Sequence, residues 1–331
     1  MSCCTPSCAT IRPKRSVTQL DEVIRAECCL SPRFSTVRII SLNARQYHWL
    51  TRCALWLLTA IVVSGVAVRL TGSGLGCSDW PNCEPGQLVP EADVHAWVEF
   101  GNRLVTGLVS IVVVLAVLGS LRRVPPAVAL TRWSWGLVAG VAAQIGLGAI
   151  TVLTHLSPPI VMGHFLLSMV LIWNSVVLEH LARPTQSSAG TTPIGPLVRL
   201  HVYTVATITA LVIFTGTVVT ATGPHGGDEN VERLNFSFPD VARIHGCAVV
   251  LLLFVSILLK LKLRGLGSNC LQRRTNMFLI VALGQATIGY VQYFTKLPIV
   301  LVGCHVAGAT LLWVMVIRLL LVSDMRALKA D

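Results

Sequence analysis

The chain has 331 residues, 53% of them hydrophobic and only 12% charged, with a mean hydropathy of +0.70. A soluble domain carries roughly 25% charged residues, so the composition excludes a water-soluble enzyme and describes a polytopic membrane protein. The net charge of +11 is assigned to topology and anionic lipid. No basic stripe is interleaved with aromatics, and nucleic acid is excluded as a partner.

Residues 1–47 read as a disordered cytoplasmic arm. Its Cys3, Cys4, Cys8, Cys28 and Cys29 lack partners at zinc spacing, so no metal site is read there. Apolar runs of about 20 residues, enough to cross about 30 Å of hydrocarbon, then predict eight spans. They cover 49–70, 98–120, 133–153, 160–181, 199–221, 241–263, 275–294 and 298–322. Pro158-Pro159 and Lys296-Leu297-Pro298 mark tight turns, because proline cannot continue the preceding helix. Cys53, Cys247 and Cys304 inside the spans read as small apolar packing residues.

Basic residues set the orientation. Of the 26 Lys and Arg, all but Arg69, Arg103, Arg233, Arg243 and Lys296 fall on one side of this span pattern. The expected protein therefore lies in the plasma membrane with both termini cytoplasmic. The stretch TGSGLGCSDWPNC (residues 71–83) then faces outward, where disulfides persist. Cys77 and Cys83 can close a small ring around Pro81 or stay as two free thiols.

The chain also repeats itself. Gln144 in span 3 precedes His164 by the same distance that separates Gln285 in span 7 from His305. Ser64-Gly65 leads to Thr71-Gly72 as Thr215-Gly216 leads to Thr222-Gly223, and LSPPIVMGH (156–164) resembles LPIVLVGCH (297–305). The predicted fold is all-α, with two tandem four-helix bundles related by a pseudo-two-fold axis along the membrane normal. The first half covers 48–184, a linker 185–198, the second half 199–325, and a cytoplasmic tail 326–331.

Polar residues inside a membrane are costly and rarely idle. His164, His245 and His305 each enter a span near its outer end, and the matching segment of span 2 is Glu99-Phe-Gly-Asn102-Arg103. Two neutral imidazoles facing each other across a bundle ligate a haem iron, so His245 and His305 are read as that pair. Arg243 and Arg103 are candidates for pairing with haem propionates, or for snorkelling to headgroups. His225, in the turn TGPHGGD, is a further candidate for haem contact.

Together, T71-G-S-G-L-G-C-S-D-W-P-N-C83, E99-F-G-N-R103, His164, His245 and His305 resemble the haem A synthase family, most closely its actinobacterial branch. The likeness covers roughly residues 48–325. It implies oxidation of the C8 methyl of haem O to a formyl group by successive hydroxylations, giving haem A for cytochrome oxidase. It implies haem b as cofactor on His245 and His305, substrate haem in the first half, catalytic Glu99, and a Cys77–Cys83 disulfide. Haem O synthase, the cytochrome oxidase assembly system and an external electron donor are the expected partners, and a homo-oligomer is compatible with this reading.

The family pattern is Glu-x-x-His-Arg, and here Asn102 stands in the histidine slot. An amide oxygen is a poor iron ligand. The substrate haem is therefore expected on His164 alone, with an open position near Asn102 and Glu99, where a poorly solvated carboxylate can move protons; the alternative for Glu99 is a cap at the start of span 2. His95, one helical turn before Glu99, is the nearest substitute ligand. The alternatives are a b-type cytochrome that transfers electrons without chemistry of its own, and a transporter built on the same duplication.

Overall fold

A computed structural model describes residues 41–184, 194–265 and 269–323. The five cysteines of the arm and most of the assigned linker lie outside the described residues. Within these bounds a parallel pair of two-residue strands, β1 (Leu42–Asn43) and β2 (Arg123–Val124), accompanies eight helices. These are α1 (Ala44–Leu70), α2 (Val94–Leu121), α3 (Val128–Leu153), α4 (Pro158–Ala182), α5 (Pro196–Thr222), α6 (Phe238–Leu263), α7 (Asn269–Phe294) and α8 (Ile299–Ser323). All eight are long and apolar enough to cross a membrane.

Most helices extend past the spans read from hydropathy, and caps explain two of the extensions. Asn43 accepts from the Gln46 backbone N–H at 2.9 Å while the Gln46 side chain accepts from the Asn43 N–H at 3.0 Å. This reciprocal box starts α1 at Ala44, inside the stretch assigned to the arm. Asp93 accepts from the Ala96 N–H at 2.8 Å and starts α2. Proline occupies the first turn of α4, α5 and α6, where its missing N–H costs nothing. Polar caps at headgroup depth are invisible to a scan for apolar runs.

Helix pairing shows the duplication. In the first half α1 packs on α2, α2 on α3, α3 on α4 and α4 back on α1; α5 to α8 repeat that ring. Across the seam α4 meets α8, α1 meets α8 and α4 meets α5. Exchanging the halves maps the first contact onto itself and swaps the other two, as a two-fold requires. The links repeat as well. His155 and Leu156 between α3 and α4 have φ of 49° and 60°, and Lys296 and Leu297 between α7 and α8 have 61° and 58°.

One buried cluster fills the second half and the seam, and a second fills the first half around Tyr47, Leu137 and Leu178. Four buried hydroxyls are satisfied locally: Ser134, Thr209, Thr275 and Thr310 donate to carbonyls one turn back. Trp313 of α8 donates to the Met169 carbonyl of α4 at 2.8 Å, beside the axis. The reading of Cys53, Cys247 and Cys304 as packing residues is corrected, since all three are exposed. The outward face of a spanning helix meets lipid, where a small apolar thiol is tolerated without a packing partner.

Candidate functional site

His245 on α6 and His305 on α8 face each other in the second half. Their ring centres are 6.4 Å apart and their planes cross at 83°. Two imidazoles that each place a nitrogen about 2.0–2.1 Å from one ion hold their ring centres roughly 6 Å apart.

The local sequence makes room for both rings. A Cβ on Gly216 of α5 would stand 3.2 Å from His245 Cε1, and one on Gly289 of α7 would stand 3.1 Å from His305 Cε1. Larger residues there would push the rings aside. Thr215, next to Gly216, sets the state of His245. Its hydroxyl donates to the Leu211 or Val212 carbonyl, each 3.0 Å away. Its oxygen is then free to accept from His245 Nδ1, also 3.0 Å away. A proton held on Nδ1 leaves Nε2 bare for a metal. His305 Nδ1 is buried without a hydrogen-bond partner.

Among the described residues no group of three or more His, Cys, Asp or Glu gathers to hold a bare metal ion. An ion held by two imidazoles in this bundle must bring its remaining ligands with it. A porphyrin iron does so, and the donor set fits one.

The first half contains the same frame with one part changed. His164 on α4 corresponds to His305, and its Nδ1 is likewise buried and unpartnered. Gly148 on α3 corresponds to Gly289, and its Cβ would meet His164 Cε1 at 3.5 Å. Gln144 donates to the His164 carbonyl at 3.1 Å and to Ser168 Oγ at 2.6 Å, fixing that turn of α4. Ser64 on α1 corresponds to Thr215, and it donates to Asn102 Oδ1 at 2.7 Å. Asn102 therefore stands where His245 stands in the second half, with an amide in place of an imidazole.

One turn before Asn102, Glu99 is buried at 6% exposure. Its Oε2 accepts from the Cys77 backbone N–H at 2.8 Å and its Oε1 from Arg103 Nη2 at 2.7 Å. Arg103 also donates to the carbonyls of Asn82 at 2.8 Å and Asp79 at 3.1 Å. Cys77 and Cys83 are joined as a disulfide and fully buried against Ala96 and Phe100. Gly76 lies so close to the backbone of His95 and Ala96 that no Cβ would fit. Glu99 and Arg103 thus clamp the loop onto the start of α2, and the capping role at α2 belongs to Asp93.

The remaining candidates have partners of their own. His95 is exposed and shares a hydrogen bond with Ser73 at 2.9 Å. Arg243 is 77% exposed and pairs with Asp240 at 3.1 Å. His225 donates from Nε2 to the Leu297 carbonyl at 2.8 Å, and its own carbonyl accepts from Arg69 at 2.8 Å. With Gly74 N–H donating to Gly227 O at 2.8 Å, these bonds tie the loops of the two halves together. Sequence reasoning passed over Thr215, Ser64 and the facing glycines as site residues, although the matched Ser-Gly and Thr-Gly pairs were its repeat signal.

A family model described as cytochrome oxidase assembly protein matches residues 47–224. The chain is 30% identical over 182 residues to a heme A synthase of Lysinibacillus sphaericus, covering 53% of this chain and 58% of that protein. It is 32% identical over 169 residues to a heme A synthase of Symbiobacterium thermophilum, covering 48% and 54%. A heme A synthase of Shewanella oneidensis is 30% identical over 172 residues, covering 47% and 51%. The chain spans about half the length of the curated relatives it matches. The family match contains Glu99, Asn102, His164 and both loop cysteines but ends before His245 and His305.

Proposed function

Because the chain belongs to the cytochrome oxidase assembly protein family, we propose that it is a haem A synthase, oxidising the C8 methyl of haem O to a formyl group by successive hydroxylations. The observation that carries this reading is the inequality of two matched sites. The second half offers two facing imidazoles, His245 and His305. At the matching positions the first offers His164 and the Ser64–Asn102 pair, one imidazole where the second half has two. A closed site suits electron transfer, and an open one suits chemistry on oxygen.

In this reading His245 and His305 would hold haem b, which when bound would supply one-electron transfer. Thr215 keeps the His245 proton on Nδ1, and Gly216 and Gly289 leave the space that both rings need. His164 holds the substrate haem O from the α4 side. Glu99 is the carboxylate that handles protons there, its two oxygens placed by the Cys77 N–H and by Arg103. The clamped loop covers the substrate site and keeps water from it. Arg103, engaged with loop carbonyls, acts by holding that cover. Reducing equivalents come from a separate donor, haem O from a haem O synthase, and the product passes to cytochrome oxidase assembly.

The test is co-expression with a haem O synthase in haem-replete cells, followed by extraction and mass identification of the haems. The proposal expects haem b together with haem O or haem A in the purified protein. Haem b alone would point to an electron-transfer cytochrome, and a haem-free protein would end both readings.

A further inference from the structure

A second site lies at the opposite end of the bundle from the disulfide loop, at the seam between the halves. There α1, α4 and α8 enclose a cleft of about 300 Å³ lined by His48, Arg52, Trp56, Glu179, Arg183 and Arg318. Glu179 is only 3% exposed and is fully engaged. Arg183 donates to both its oxygens at 3.2 and 2.9 Å, His48 Nε2 lies 2.9 Å from Oε1, and Arg318 stands 3.7 Å from Oε2. One carboxylate thus faces two guanidiniums and an imidazole, and Arg52 adds a third guanidinium to the cleft. Arg274 adds a further positive charge within electrostatic range of Arg318, and the buried Nε of Arg318 has no partner. The Arg52 guanidinium lies over the Trp49 ring at 4.6 Å and has no carboxylate partner among the described residues.

Excess positive charge packed between helices is costly unless an anion compensates it. At the central Glu179–Arg318 pair the duplication shows that the fold can pack without charge. The repeat mate of Glu179 is Leu320 and that of Arg318 is Val177, and the mate seam packs through these apolar side chains. The cleft's depth identifies the kind of anion. Trp49 and Trp56 beside it are 57% and 68% exposed, as aromatics are at the membrane–water boundary. Basic pockets between helices at this level take acidic lipid headgroups.

We propose that the cleft binds the phosphate headgroup of an anionic phospholipid, with Arg52, Arg183 and Arg318 as the phosphate ligands and an acyl chain running along Trp56. The site fastens lipid across the seam between the two halves.

The purified full-length protein, delipidated in detergent, is titrated with dioleoyl phosphatidylglycerol or dioleoyl phosphatidylcholine and read by native mass spectrometry. A brominated phosphatidylglycerol reports proximity to Trp56 by fluorescence quenching. The expected result is preferential binding of phosphatidylglycerol that weakens about fivefold in Arg52→Gln. Arg52→Gln breaks no ion pair, so folding is preserved, and a thermal melt checks it. Lys262→Gln, on α6 and outside the cleft, should leave binding unchanged. Equal binding of both lipids, retained preference in Arg52→Gln, or an equal loss in Lys262→Gln would overturn the proposal. Displacement of phosphatidylglycerol by equimolar inorganic phosphate would overturn the lipid assignment in favour of a small-anion site.

Discussion

The two halves of this protein share one frame and differ at one matched position within it. In the second, Thr215 faces His245 at 3.0 Å, and in the first Ser64 faces Asn102 at 2.7 Å. His305 and His164 match, as do the glycines facing them. A duplicated bundle can therefore hold two similar groups and treat them differently by exchanging one side chain. The frame supplies space and a hydroxyl at the same depth in each copy; the residue that meets the hydroxyl is an imidazole in one and an amide in the other, and in the proposed reading that exchange decides whether the site is closed or open. The second difference is the disulfide loop, present only above the first half and clamped there by Glu99 and Arg103.

The largest effect is expected where the comparison is removed altogether. His305→Ala or His245→Ala should weaken haem retention by more than about 100-fold, since even a group behind a metal ligand commands 10–100-fold. Haem content per chain after purification measures this, and the low-spin absorption bands should disappear with it. Next comes the loop. Cys77→Ser should remove about 2 kcal/mol of stabilisation expected for closing so short a ring, read by thermal melting. Conversion of haem O should fall while the second-half spectrum stays unchanged.

Asn102→His should erase the difference between the halves. Ser64 already stands where Thr215 stands, so the new imidazole has a hydroxyl to orient it. A second low-spin centre should appear in the spectrum, and turnover should drop because the open side is closed. The smallest effect belongs to Thr215→Val, which removes the acceptor for His245 Nδ1. The loss of one such hydrogen bond, about 0.5–1.5 kcal/mol, corresponds to roughly two- to thirteenfold weaker haem binding. Ser64→Ala should leave that site untouched.

Much of this was readable before any coordinates. The eight spans follow from hydropathy, and the duplication follows from the repeated Gln-to-His spacing and from the matched Ser-Gly and Thr-Gly pairs. Asn102 in a histidine slot was likewise visible as a departure from a family pattern. The helix ends were not, because Asn43 and Asp93 cap in polar surroundings that an apolar scan discards. Arg103 pointed toward a haem carboxylate when read alone. Its engagement with loop carbonyls depends on how residues 79–82 fold back over α2, which local sequence does not specify. The charged cleft was out of reach for the same reason. His48 and Glu179 are 131 residues apart, and only the packing of α1, α4 and α8 brings them together. The exposed span cysteines show the converse error, in which soluble-protein burial rules were carried into lipid.

The central claim is that one copy of the frame holds iron between two imidazoles and the other copy holds it by one. Electron paramagnetic resonance of the oxidised protein, loaded with haem b and haem O, counts the low-spin bis-imidazole centres per chain. The account predicts one such centre, lost in His305→Ala and kept in His164→Ala. Two centres in the native chain, or a low-spin signal that survives His305→Ala, would contradict it.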